Sequence, residues 1–249
     1  MGAKTGILAF ADGDPIPVLR LRPATDPGRA RALAERLHPG YRIEPGDGDN
    51  LWEGCYPPDD TLYALSVPGL DLACDKRFML DRPSRLPPHL LRLGAGRRVL
   101  LHAMHSGSDW LAFAVWENGA LVRSLSLSPD GGIGENIGDP MPFEVPYWAG
   151  EHPVGPGPYP LPFHPLEMGE EALRHMFGFV VEGRRRTDDV PADEIRLPGF
   201  RVTDPTGAEQ AGREALRVAA RRMTRRSFTY RGGELVEVGL DEPGPPAVS

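Results

Sequence analysis

The sequence predicts a single α+β domain: a mostly antiparallel, largely buried central sheet, a few flanking helices and a long proline-rich strap. Three observations predict it. Asn118-Gly119 joins two apolar runs, the strongest short hairpin signal, because a type I′ turn needs positive φ at both central residues. Both faces of that hairpin are apolar, so both need cover. Regular strand–helix alternation, which a doubly wound parallel sheet requires, is missing between 98 and 165.

The elements follow in order. Residues 5–11 (TGILAFA) read as a first strand, apolar on both faces, ended by the turn Asp12-Gly13-Asp14-Pro15. Asp26-Pro27 opens a helix, with Asp26 as N-cap, Ala30, Leu33, Ala34 and Leu37 as its apolar stripe, and Pro39-Gly40 as its stop. Residues 39–60 read as a loop pinned by Leu51, Trp52 and Tyr56. A strand pair follows at 61–67 and 70–74 around Pro68-Gly69, then a short helix from Pro87 or Pro88 to Leu93. Strands at 98–104, 109–117 and 120–128 form the clearest block. The turn sets Trp116 opposite Leu121, Val115 opposite Val122 and Phe113 opposite Ser124. Leu121, Leu125 and Leu127 then share a face with Trp116, and Val122, Ser124 and Ser126 lie on the other.

Nine prolines fall between Pro140 and Pro165, a density that excludes a helix or a central strand there. The interleaved Phe143, Tyr147, Trp148, Tyr159 and Phe163 predict an extended strap across the surface. A helix is expected over 167–179, closed by Gly183, and a short strand near 195–201. Asp204-Pro205 opens another helix to about Thr224, and a hairpin over Gly232-Gly233 ends the domain, drawn as 1–240. Residues 241–249 read as a disordered tail.

Composition narrows the function classes. The chain has 249 residues, 40 % hydrophobic, enough for a core. No apolar run approaches the roughly 18 residues of a membrane span. The start MGAKTGILAF carries one Lys and soon meets Asp12 and Asp14, unlike a signal peptide. Gly at position 6 breaks the myristoylation pattern. A cytoplasmic protein is expected. The net charge of −7 argues against a nonspecific nucleic-acid binder. Lys4 and Lys76 are the only lysines. Arg184-Arg185-Arg186 and the run at 221–226 read as solvated faces, or as anion patches. Cys55 and Cys74 show no C-x-x-C spacing and are expected to be reduced.

His102, His105 and Asp109 form the most suggestive set for chemistry. Turn residues Ser106-Gly107-Ser108 would place His105 and Asp109 at one mouth of the hairpin, with His102 pointing into a layer. This could be a metal or general-base site, or a buried, bonded His102 with a loop His105. Asp12, Asp14, Asp59 and Asp60 could bind a hard cation, but Asp in turns more often accepts backbone N–H bonds. The only metal candidates are Asp12, Asp14 and His105, all weak. The run 130–138 (DGGIGENIG) has the wrong spacing for a nucleotide cradle, leaving Glu135 and Asn136 as polar groups beside a cleft. Tyr147, Trp148, Glu151 and His152 on an irregular segment are the expected ligand-binding residues, or else anchors of the strap. No Gly-x-Ser-x-Gly elbow and no H-E-x-x-H helix occurs.

Several strings together resemble an uncharacterised family of actinobacterial proteins: M-G-A-K-T and A-D-G-D near the start, Y-P-P-D-D, M-H-S-x-x-D-W-L-A-F-A-V-W-E at 104–117, R-S-L-S-L-S-P-D at 123–130, P-Y-W-A-G-E-H-P at 146–153 and P-L-P-F-H-P-L-E at 160–167. The resemblance covers about residues 1–205. It implies a domain of unknown role and transfers no site. The expected function is a non-enzymatic binding or interaction protein using the strap 139–165 and the hairpin mouth 105–109. Its partner would be an unidentified small molecule or protein, with no nucleic acid and no membrane. The alternative is a hydrolase-type enzyme with His105 or His102 as base or metal ligand and Asp109, Glu135 or Asp12 assisting. The sequence names no cofactor. Convergence of these side chains in one concave pocket would favour the enzyme, and scatter would favour binding.

Overall fold

The computed structural model describes residues 2–155, 159–222, 227–231 and 234–238. In chain order the elements are β1 (Lys4–Ala11), α1 (Pro15–Arg20), α2 (Pro27–Leu37), β2 (Arg42–Asn50), α3 (Leu51–Gly54), β3 (Thr61–Val67), β4 (Leu70–Cys74), α4 (Pro88–Leu93), β5 (Arg98–His105), β6 (Trp110–Glu117), β7 (Ala120–Ser128), β8 (Gly132–Ile137), α5 (Val145–Trp148), α6 (Pro165–Phe177), β9 (Arg196–Thr203), α7 (Ala208–Arg222), β10 (Ser227–Arg231) and β11 (Glu234–Val238). The chain falls into two compact units, Met1–Thr203 and Asp204–Ser249. The second holds α7 and the hairpin β10–β11. The expected turn Gly232-Gly233 and tail 241–249 lie outside the described residues.

The first unit is built on one nine-stranded sheet in the order β2-β9-β3-β4-β1-β5-β6-β7-β8, every described pairing antiparallel. The α+β class with a largely buried central sheet is the observed one. Alternation along β1 explains why both faces are covered: Ile7 and Ala9 point to one layer, Leu8 and Phe10 to the other. The first layer holds α1, α3, α5 and α6, with Leu173, Met176 and Phe177 packed on Leu100, Met104 and Phe113. The second holds α2 and α4, with Leu33, Leu37 and Leu90 over Leu101, Ala114 and Trp116. Gly169 lets α6 come close, since a Cβ there would meet Leu111 and the Met104 sulfur at 3.2 Å.

Local signals hold where the chain decides locally. Asp26 Oδ1 accepts from the Arg29 amide at 3.1 Å, capping α2. Asn118 and Gly119 have φ of 51° and 81°, as a type I′ turn requires.

Four expectations are corrected. Segment 39–60 is not all loop. Arg42–Asn50 is an edge strand on β9, interrupted by a bulge between Gly46 and Asp49, and Pro45 is tolerated because an edge leaves its nitrogen side free. The turn at Asp12–Pro15 runs straight into the unexpected helix α1, which Asp14 caps by accepting from the Ile16 amide at 2.9 Å, the backbone acceptance expected of it. The helix expected at 167–179 starts at Pro165 behind His164 and ends at Gly178, φ 78°, rather than at Gly183. The proline-rich segment contains the single turn α5, and Gly132–Ile137 forms the edge strand β8 just before it.

The β6–β7 register also differs. Glu117 and Trp116 pair as expected, but a bulge follows, and Val115 then faces Arg123 while Phe113 faces Leu125. Val122 is squeezed out to 44 % exposure. Leu125 and Leu127 turn to the α6 side with Phe113, and Ser124 and Ser126 to the other. Arg123 is buried at 0 % exposure together with Glu144 of the strap. Their fork is bidentate, Nε to Oε1 at 2.8 Å and Nη2 to Oε2 at 2.6 Å. Arg123 Nη1 also donates to Asn136 Oδ1 and the carbonyls of Ile137 and Gly138. Glu144 further accepts from the Met141 amide and the Trp148 indole. The strap is thereby anchored to the sheet, and Phe143, Tyr147, Trp148 and Phe163 join its core.

Candidate functional site

The residues singled out for chemistry go to separate places. His102 is fully buried between β1 and α6. Its Nε2–H donates to the Gly169 carbonyl at 2.9 Å, which leaves Nδ1 to accept from the Thr5 hydroxyl at 2.8 Å. Burial lowers its pKa from 6.5 to about 4, so the ring is neutral and fully bonded. His105 lies beside Lys4 in the ladder and edge-on to Tyr56, 5.9 Å away. Partial burial, then Lys4 and Lys76, hold its pKa down. Asp109, at φ 44°, faces a different imidazole, His164 Nε2 at 3.7 Å.

Glu135 accepts from the Ser84 amide and hydroxyl and from the Ser124 hydroxyl, bonds that lower its pKa against partial burial. It fastens the turn at 83–85 to the sheet. Asp12 pairs with Arg97 at 2.7 Å. Asp12 and Asp14 follow the last residue of β1 and His105 flanks its first, so the eight-residue strand keeps them roughly 25 Å apart. They cannot share an ion, and no cluster of three or more metal-ligating side chains occurs among the described residues. Cys55 and Cys74 are free, buried thiols, and burial pushes Cys55 up to about 12. Neither is poised as a nucleophile.

The expected ligand residues fare differently. Trp148 is an anchor, its indole N–H donating to Glu144 at 3.1 Å and its ring edge-on to Phe163. Glu151 is exposed beyond α5. Tyr147 and His152 line a cleft of about 1000 Å³, a size suited to a small molecule. Their rings stack at 4.1 Å. His152 Nδ1 lies 3.2 Å from Glu167 Oε1, and the Tyr147 hydroxyl donates to the Glu167 carbonyl. Burial, then Glu167 and Glu171, raise the Tyr147 pKa and keep the phenol protonated. His105 and Ser108 line a separate depression of about 310 Å³, while Asp109 of the hairpin mouth meets the strap at His164.

The rest of the cleft comes from α6 and residues 182–187, including the arginine run. Glu167, Glu170, Glu171 and Arg174 recur at helical spacing on one face of α6, a polar stripe whose spacing alone marks it in the sequence. Glu170 accepts from the Val181 and Glu182 amides, holding the loop, and burial raises its pKa. Arg174 ties Asp189 and Glu171 together, and Arg186 also reaches Glu171. The side chains of Arg184 and Glu182 enter the lining with no ion pair of their own among the described residues.

No curated protein and no solved structure matches the chain. A model of a family of unknown function, DUF6928, matches residues 5–200, from β1 through most of β9, and the chain belongs to that family.

Proposed function

We propose that the protein is a non-enzymatic binding protein whose ligand occupies the cleft between the strap, α6 and residues 182–187. One observation carries this reading: the aromatic pair Tyr147–His152 and the arginine run share one concavity of about 1000 Å³ with unspent charge on both Arg184 and Glu182. The mixed lining suits a small polar molecule bearing both signs of charge. The scatter of His102, His105, Asp109, Glu135 and Asp12 onto separate structural partners argues the same way. A hydrolase reading keeps one supporting observation, the His152–Glu167 pair, because a carboxylate that orients an imidazole suits a general base.

A thermal-shift screen of charged metabolites tests the proposal. A hit should stabilise the protein, lose its effect in His152→Ala and Arg184→Glu, and be recovered unaltered by mass spectrometry. No stabilising compound, or a hit indifferent to both variants, overturns it, and turnover of the hit transfers the cleft to the hydrolase reading.

An actinobacterial source, a cytoplasmic location and the lack of nucleic-acid and membrane partners belong to the same proposal. Their support is compositional: arginine far in excess of lysine and a net charge of −7. Among the described residues no helix is long and apolar enough to cross a membrane.

A further inference from the structure

A further cavity, of about 330 Å³, opens beside α3 and is lined by Lys4, Trp52, Glu53, Tyr56, Val181 and Glu182 among others. Its chemistry differs from that of the strap cleft. Its lining includes two aromatic residues, Val181 and Cys55, and carries two carboxylates and one ammonium, with Lys76 and Arg185 standing over the two rings from outside the lining.

Both rings already attract cations. The Lys4 and Lys76 ammoniums stand 5.6 and 4.7 Å from the Tyr56 ring centre, and the Arg185 guanidinium stands 5.0 Å from that of Trp52. These contacts express the negative face of an aromatic ring. Trp52 is held in place by its indole bond to the Val180 carbonyl at 3.1 Å, so its ring is a fixed wall. Lys76 is neutralised by Asp59 at 2.8 Å, whereas Glu53 and Glu182 have no ion pair or side-chain hydrogen bond among the described residues. The carboxylates are felt on the α3 side, where, after burial itself, Glu170, Glu53 and Asp49 push the Cys55 thiol upward, and the ammoniums on the Tyr56 side, where Lys4 and Lys76 add to burial in lowering His105.

We infer that this cavity binds a small organic cation, an amine carried on an apolar or aromatic body, with its charge between Glu53 and Glu182 and its body against Trp52 and Tyr56. The site adjoins the strap cleft: Glu182 lines both, and Arg185 of the cleft stands over the Trp52 ring, but Tyr147 and His152 belong to the cleft alone. The built-in competitors are Lys4 and Lys76 at the Tyr56 ring and Arg185 at the Trp52 ring, and of these Lys4 alone belongs to the cavity lining.

Calorimetric titration of the full chain with 2-phenylethylamine tests the inference, with 2-phenylethanol and 3-phenylpropanoate as neutral and anionic counterparts. Saturable binding of the amine is expected, about tenfold tighter than that of either counterpart. Glu53→Gln and Glu182→Gln, both at exposed positions, should each weaken the amine by about tenfold without lowering the melting temperature. Lys4→Gln should tighten it several-fold, a gain that general damage cannot produce. His152→Ala should leave it unchanged, which separates this site from the strap cleft. Absence of binding at millimolar amine, equal binding of the alcohol, preference for the carboxylate, or affinity unchanged in both glutamate variants overturns the inference.

Discussion

Two polar assemblies sit within one strap's length of each other and are built on opposite rules. Around Arg123 and Glu144 every guanidinium nitrogen and both carboxylate oxygens are bonded, and both side chains are at 0 % exposure. In the cleft beside Tyr147 and His152, Arg184 and Glu182 face a cavity with no ion pair of their own among the described residues. The first has no capacity left for a ligand, and the second has capacity and space. Saturation of hydrogen bonds therefore separates a structural charge from a candidate binding charge better than residue type does.

Breaking the saturated assembly should have the largest effect. Glu144→Ala leaves Arg123 buried without its counter-ion, which costs about 3–5 kcal/mol. Urea unfolding measures it, and a loss below about 1 kcal/mol would refute the saturated view.

The pH profile comes next. His102 has a folded pKa of about 4 against 6.5, so the folded state favours the neutral ring. That stability is full above pH 6.5 and is lost as pH falls toward 4, by about 3 kcal/mol in all. His102→Gln should flatten much of that slope in melts recorded across this range. The remaining slope includes His105 and His175, whose pKa values burial also lowers.

Glu135→Gln keeps the shape but weakens charge-assisted bonds to Ser84 and Ser124, and should cost about 1–2 kcal/mol in the same unfolding assay. The smallest effect sharpens the contrast from the other side. Arg184→Ala should change stability by less than about 0.5 kcal/mol, as surface changes do, while abolishing the response to a cleft ligand in the thermal-shift screen.

The candidate site was only half legible. Tyr147 and His152 stood out because aromatics and an imidazole on a proline-interrupted segment have no regular structure to serve. Trp148 carries the same signature, yet it is consumed by Glu144. The α6 stripe could have been read from its spacing, but nothing local connects it to residues 182–187, because that contact depends on how Glu170 captures the loop amides. His105 and Asp109 are neighbours in sequence and diverge in space, one toward Tyr56 and the other toward His164.

Near neighbours along the chain are enough to set the Asp26 cap, the Asn118-Gly119 turn, the apolar strands and their need for two covering layers. These rest on dihedral preferences and side-chain periods within a few residues. Distant contacts set the bulge that turned Leu125 and Leu127 over, the pairing of β2 with β9, and the burial of Arg123 against Glu144. A bulge is chosen by what both faces of a sheet must bury, and a buried charge by the partner that arrives to meet it, and neither is present until the chain has closed on itself.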